Sequence, residues 1–221
     1  GVFASLLIGL IAWQQGALAR PSLVLHPTVI LRGACEAAGT VTFLIALSHL
    51  PIANVSAVLQ ALPLAVTMGA ALFFSEPVGW RRWLAILVGF IGVLIIVQPG
   101  ADAFSPFSVL TLISVAFCAV RDLATRLVPP HIPTLLISTS TAIVVTICGI
   151  VLIGPMGGWS PMSTSTTLII VLGAGLLLVG YQFIIQAMRA GDISFVAPFR
   201  YTALLWSMIL GILGVSICAI I

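Results

Sequence analysis

The chain has 221 residues, 61% hydrophobic and only 6% charged, with a formal net charge of +3. That charged share is about a quarter of what an ordinary soluble domain carries, which excludes a soluble enzyme, a nucleic-acid binder and a disordered chain. The positive charges are all arginines, scattered rather than clustered, and the composition is that of an integral membrane protein.

Apolar runs recur along the chain at the length a bilayer core requires. The first spans 2–19 and the second 29–48, separated by Arg20-Pro21-Ser22. The first lacks a basic leader and a small-residue cleavage site, so it does not read as a signal peptide. A third run, 55–75, follows Leu50-Pro51-Ile52-Ala53-Asn54, and a fourth, 80–97, follows Ser75-Glu76-Pro77-Val78-Gly79. The fifth, 107–127, comes after Gln98-Pro99-Gly100-Ala101-Asp102, and the sixth, 134–153, after Val128-Pro129-Pro130-His131. The seventh, 167–188, and the eighth, 195–214, are separated by Ala190-Gly191-Asp192. Barrel strands would be about half as long and would alternate apolar with polar. These runs do not alternate, so the expected fold is an all-α integral membrane bundle of eight transmembrane helices.

The arginines set the expected topology. Arg20 and Arg32 flank the first break, Arg81 and Arg82 the third, Arg121 and Arg126 the fifth, Arg189 and Arg200 the seventh. The positive-inside rule places these odd-numbered breaks in the cytoplasm, with both ends of the piece on the periplasmic side of a bacterial inner membrane. Trp80 and Trp83 beside Arg81 and Arg82 suit an interfacial anchor.

The stretch Thr42–Leu72 resembles Gln182–Ile212, displaced by 140 residues. Phe43 falls opposite Phe183, Ala57 opposite Ala197, Leu64 opposite Leu204 and Met68 opposite Met208. The copies lie five runs apart, an odd number, so their orientations are opposite. Inverted repeats are a signature of secondary transporters. The expected halves are 1–98 and 107–221, the first lacking its first helix and the second its last, a truncated form of a ten-helix fold.

Several pieces carry a family resemblance. They are Leu31-Arg32-Gly33, Ala46-Leu47-Ser48-His49-Leu50-Pro51-Ile52-Ala53-Asn54 and Leu62-Pro63-Leu64. Ser75-Glu76-Pro77-Val78-Gly79-Trp80-Arg81-Arg82-Trp83 leads into Gly89-Phe90-Ile91-Gly92-Val93 and Gln98-Pro99-Gly100. In the second half they are Arg121-Asp122-Leu123-Ala124-Thr125-Arg126 and Val196-Ala197-Pro198-Phe199-Arg200-Tyr201-Thr202. On these the chain resembles the drug/metabolite transporter superfamily, specifically its EamA-domain members. The resemblance implies ten helices in two inverted five-helix repeats, cytoplasmic ends, and transport of small polar solutes.

The catalytic signatures are missing: there is no HExxH, GxSxG, Walker A or dinucleotide fingerprint. Cys35, Cys118, Cys148 and Cys218 sit in apolar runs as small hydrophobes. His26, His49 and His131 share no ligand spacing. No enzyme, metal or cofactor is expected; the expected partners are a small-molecule substrate, the bilayer and, if transport is coupled, protons.

Polar residues at membrane depth are costly and often functional. Arg32 and Glu36 are four apart on one helix face, so Glu36 is either a cavity-facing proton acceptor or ligand, or half of a structural ion pair. Arg121 and Asp122 either gate the inner mouth by pairing across helices or snorkel to the interface. Arg200 and Tyr201 follow Pro198, which removes a backbone hydrogen bond and opens the helix. Arg200 then either binds a carboxylate or phosphate group or neutralises Asp192. Gln60, Pro63 and Thr67 share a face, with Gln60 the repeat partner of Arg200. Gln182 and Gln186 share another. These polar residues either line a cavity or bond helix to helix. Trp206 and Phe43 are candidate cavity walls. The reading is a secondary transporter in which Glu36, Gln60, Thr67, Gln182, Gln186, Arg200 and Tyr201 bind substrate, and Arg121, Asp122, Pro63 and Pro198 gate or couple. The alternative is a non-transporting scaffold, a partner subunit or an inactive fragment.

Overall fold

The structure is a computed structural model that describes residues 1–97, 105–155, 158, 163–202, 206 and 209. Among the described residues the regular elements are all helical. They are α1 (Val2–Gln14), α2 (Pro27–Leu47), α3 (Ile52–Leu59), α4 (Leu62–Phe74), α5 (Trp80–Val97), α6 (Pro106–Leu127), α7 (Thr134–Ile153), α8 (Thr164–Ala190) and α9 (Ile193–Val196). Turns of 3₁₀ helix lie at Pro21–Leu25 and Ala197–Tyr201.

Local chemistry starts these helices where the sequence turns from polar to apolar. Ser105 accepts the Phe107 N–H at 3.3 Å, and Pro106 occupies the first turn of α6, where no donor is needed. Ser163 does the same for α8 through the Thr166 N–H at 3.2 Å. His26 offers Nδ1 to the Thr28 N–H at 3.4 Å, with Pro27 opening α2. Segments Pro27–Leu47, Asn54–Phe74, Pro106–Leu127, Thr134–Ile153 and Thr164–Ala190 are long and apolar enough to cross a membrane.

Three expected runs differ from what forms. The first is cut short, because α1 ends at Gln14 and Gly16 takes a left-handed φ of 69°. The third is two helices, α3 and α4, broken at Gln60-Ala61. Pro63 has no N–H to give the carbonyl one turn back, so the ladder is interrupted there. The eighth begins as α9 and tightens into 3₁₀ helix over Ala197–Tyr201, around Pro198. Most of that run beyond Thr202, including Leu204 and Met208 of the repeat, lies outside the described residues. So do Gln98-Pro99-Gly100, Asp102 and Cys218.

Helix α6 is the hub, packing along α2, α3, α4 and α8. Small residues bring the axes close: the Ser114 hydroxyl donates to the Gly39 carbonyl at 2.9 Å, and a Cβ at Gly39 would lie 3.2 Å from the Cys118 sulfur. An apolar core of Val58, Ala61, Leu62, Val66, Ala70, Val115, Ala119 and Leu123 runs from there to Met188, Ile193 and Ala197. The opposite face of α8 exposes Leu168, Ile169, Leu172, Leu176 and Leu177. Apolar side chains turned outward along a span suit hydrocarbon rather than water, as in an integral membrane protein.

Candidate functional site

One turn separates Arg32 from Glu36 on α2, and both point toward α6 and α8. Arg32 is 2% exposed. Its Nε donates to the Thr125 hydroxyl at 2.9 Å, one Nη to the Thr141 hydroxyl, and the other to the Tyr181 oxygen at 2.9 Å. The acceptors sit on α6, α7 and α8, and all are neutral. Thr125 and Thr141 turn their own protons back to carbonyls of their helices, at 2.9 Å each, leaving lone pairs for the guanidinium.

The Tyr181 hydroxyl donates onward to Glu36. The other oxygen of Glu36 receives Arg121 Nη1 at 3.1 Å. Arg121 also grips Asp122 Oδ1 through Nε at 2.9 Å and Nη2 at 2.8 Å. Asp122 Oδ2 receives Arg200 from the 3₁₀ turn. The result is one continuous relay, Arg32 to Tyr181 to Glu36 to Arg121 to Asp122 to Arg200, across α2, α6, α8 and the segment after α9. Each buried charge has a hydrogen-bonding partner, which is what makes burial tolerable.

Arg32 and Glu36 are not a direct ion pair; they meet through Tyr181. Arg200 pairs with Asp122 and not with Asp192. Arg121 and Asp122, although adjacent, join one relay because the long Arg121 side chain folds back on its neighbour. Tyr201 donates to the Gln60 carbonyl at 3.0 Å, tying the two helix breaks together. The Thr67 hydroxyl donates to the Pro63 carbonyl at 2.8 Å. Gln182 accepts from Ser138 at 2.7 Å. Gln186 is exposed on a different cavity, with Arg126 and Arg189, away from the relay. Tyr181, one of two tyrosines in the chain, lies in an apolar run and carries no local signal that marks it as part of the relay.

Cavities flank the relay. One of about 90 Å³ is lined by Arg32, Arg121, Asp122, Thr125, Tyr181 and Arg200. Another, of about 160 Å³, touches Glu36, Thr40, Thr141 and Tyr181. A larger one, about 540 Å³, has Phe183, Phe199, Trp206 and Arg200 in its wall.

At the arginine-rich edge the charges serve the backbone instead. Glu76 accepts the Ile193 N–H at 3.0 Å and the Ser194 N–H at 2.8 Å, capping α9 from a distant loop. Arg126 donates to the Gly191 carbonyl at 2.8 Å. Arg189 donates to the carbonyls of Ile132 and Pro129, at 3.0 Å each. Burial alone would raise the Glu76 carboxyl. The Ser194 N–H and hydroxyl, the Ile193 N–H and the Arg126 charge outweigh it and hold the carboxyl below its ordinary value.

The sequence model of the EamA-like transporter family matches residues 1–98. A riboflavin transporter of Vibrio cholerae is 32% identical over 73% of this chain and 54% of its own length. An S-adenosylmethionine uptake transporter of Rickettsia conorii is 30% identical over 81% of the chain and 60% of its own. A pseudopaline exporter of Pseudomonas aeruginosa is 29% identical over 92% of the chain and 71% of its own. The chain thus spans between about half and three fifths of the length of the first two relatives. No solved structure matches.

Proposed function

We propose that this chain, a member of the EamA-like transporter family, moves a small polar metabolite across a bacterial inner membrane by alternating access. The observation that carries this reading is the buried charge relay, with two cavities that share Tyr181 in their lining. Charges are kept at such depth at a cost, and in transporters they mark substrate and ion paths. The two helix breaks support it further. Gln60-Ala61, where the third run breaks, and Arg200-Tyr201, at the end of a 3₁₀ turn, lie 140 residues apart, and irregular helix at corresponding positions of two halves points to a binding site between them.

In this reading the halves 1–98 and 107–221 are inverted repeats of a ten-helix protein, with the odd-numbered breaks cytoplasmic. The halves rock about the relay. Arg200 and the residues at the breaks, Gln60, Thr67 and Tyr201, receive the solute, with Gln182 and Gln186 along its route. Pro63 and Pro198 let the broken helices bend. Arg121 and Asp122 change partners as one side opens. Glu36 or Asp122 takes up the coupling proton where transport is proton-driven.

The test uses cells expressing the whole protein. Metabolites inside and outside are profiled for wild type, Arg200→Ala and Glu36→Gln. Profiling both compartments covers both directions, since the relatives include uptake transporters and an exporter. A solute redistributed by wild type and not by Arg200→Ala supports the reading. Redistribution by both removes Arg200 from the site. Redistribution by neither favours a non-transporting membrane subunit.

A further inference from the structure

The charges of the relay do not balance. Arg32, Arg121 and Arg200 bring three positive charges, and Glu36 and Asp122 bring two negative ones. Among the described residues no other carboxylate is in ion-pair contact with these arginines. Glu76 is spent on the backbone of α9. Counted over the described residues, the relay therefore carries one more positive than negative charge inside an apolar bundle, where low polarisability makes it costly.

The three arginines are not equally available. Arg32 is 2% exposed and has each of its three nitrogens on a neutral oxygen. Arg121 is divided between Glu36 and Asp122. Among the described residues Arg200 has Asp122 alone, its side chain is 23% exposed, and it lines both the 90 Å³ cavity and the 540 Å³ cavity. The smaller cavity is several times the ~10–15 Å³ that one water needs. That is room for a carboxylate-sized head, not for a whole metabolite. The larger cavity beside it, with Phe183, Phe199 and Trp206, offers room and flat apolar surface for a body.

We infer that the 90 Å³ cavity is an oxyanion subsite, and that the cargo carries a single negative charge, such as a carboxylate, that completes the charge balance of the relay. This rests on the transport reading above and sets the class of its substrate. The anion enters at Arg200 and competes there with Asp122. A neutral or cationic analogue of the same shape leaves the positive charge uncompensated and binds less well. Asp122 is then a tuning residue: it holds Arg200 in place and weakens the site for anions.

The experiment measures binding to the whole purified protein in detergent, with indole-3-acetate, indole-3-acetamide and tryptamine as probes of one shape and three charges. The acid is expected to bind about tenfold or more tighter than the amide, the size of a charge-assisted hydrogen bond, with the amine weakest. Arg200→Gln brings the acid down to the level of the amide. Asp122→Asn, in contrast, tightens the acid and leaves the amide unchanged. Equal binding of acid and amide to wild type, or no binding of either, overturns the inference without any variant. So does an acid-to-amide ratio that survives Arg200→Gln. The metabolite profile separates the two claims. If the protein redistributes neutral solutes and shows no preference for the acid, the oxyanion subsite falls and transport stands. If the acid is preferred and no solute is redistributed, transport falls and the subsite stands.

Discussion

The buried relay and the arginine-rich edge use the same residue types for different ends. In the relay, arginines and carboxylates meet each other across α2, α6, α8 and the turn after α9. At the edge, Arg126, Arg189 and Glu76 meet backbone carbonyls and N–H groups at helix ends. The two settings differ in whether a charge is free to change partner. A backbone group at a helix end keeps its place as long as the helix does, so an edge contact is a fastening. A carboxylate shared between two arginines, as Asp122 is, has two near-equivalent partners and can pass from one to the other or give way to a ligand. The interior is also where each lost partner costs most, because no water replaces it.

The comparison predicts a hierarchy of effects. Asp122→Ala strips partners from both Arg121 and Arg200 and is expected to cost about 3–5 kcal/mol, the range for an orphaned buried charge. Thermal unfolding of the whole protein in detergent measures it, and a loss below about 1 kcal/mol would break the comparison. Added indole-3-acetate should recover part of that loss.

Tyr181→Phe keeps the ring and removes the hydroxyl shared by Arg32 and Glu36. A loss of about 1.5–3 kcal/mol is expected, as for hydrogen bonds to charged groups. The same unfolding measurement checks it, and an unchanged midpoint would mean that Arg32 and Glu36 close on each other directly.

Glu76→Ala removes a helix cap at the edge, and about 1 kcal/mol is expected. Acid should reproduce the loss. The folded carboxyl titrates below its ordinary value of 4.5. Its contribution is therefore complete above that value and disappears as pH falls through the lower, folded value. Unfolding midpoints followed from about pH 6 downward should fall more steeply for wild type than for Glu76→Ala. Parallel curves would show that the clamp does not titrate as described.

The smallest effect is expected of Gln186→Ala, an exposed residue away from the relay. Its stability should stay within about 0.5 kcal/mol of wild type. A loss of solute redistribution at unchanged stability would place Gln186 on the transport route, and unchanged redistribution would remove it.

Much of the helical layout was legible in the sequence. The runs 80–97 and 134–153 coincide with α5 and α7, and 107–127 differs from α6 by one residue. Periodicity and turn chemistry are local, and the bilayer length supplies a second constraint. The break at Gln60-Ala61 was less legible, because Pro63 inside an apolar run is compatible with either a kinked helix or two helices. Within the site, the polar residues at depth were legible as a set: Glu36, Arg121, Asp122 and Arg200 stand out against apolar neighbours. Their partners were not. The i to i+4 spacing of Arg32 and Glu36 suggested a pair on one helix, and the geometry instead sends Arg32 to three other helices. Tyr181 was hidden because an aromatic residue in a span reads equally well as packing.

Local sequence is enough to make this protein helical, to give its helices membrane length, and to gather its arginines toward alternate breaks. Each of these depends on composition or on residues within a turn or two of one another. Packing of the helices against one another gives Arg121 to Glu36, gives Arg200 to Asp122, lets Tyr181 join two charges, and brings Glu76 to cap α9 from a loop 117 residues away. Those pairings depend on how each helix is rotated against its neighbours. That rotation is set by the small-residue contacts and core packing around α6, which no single stretch of sequence contains.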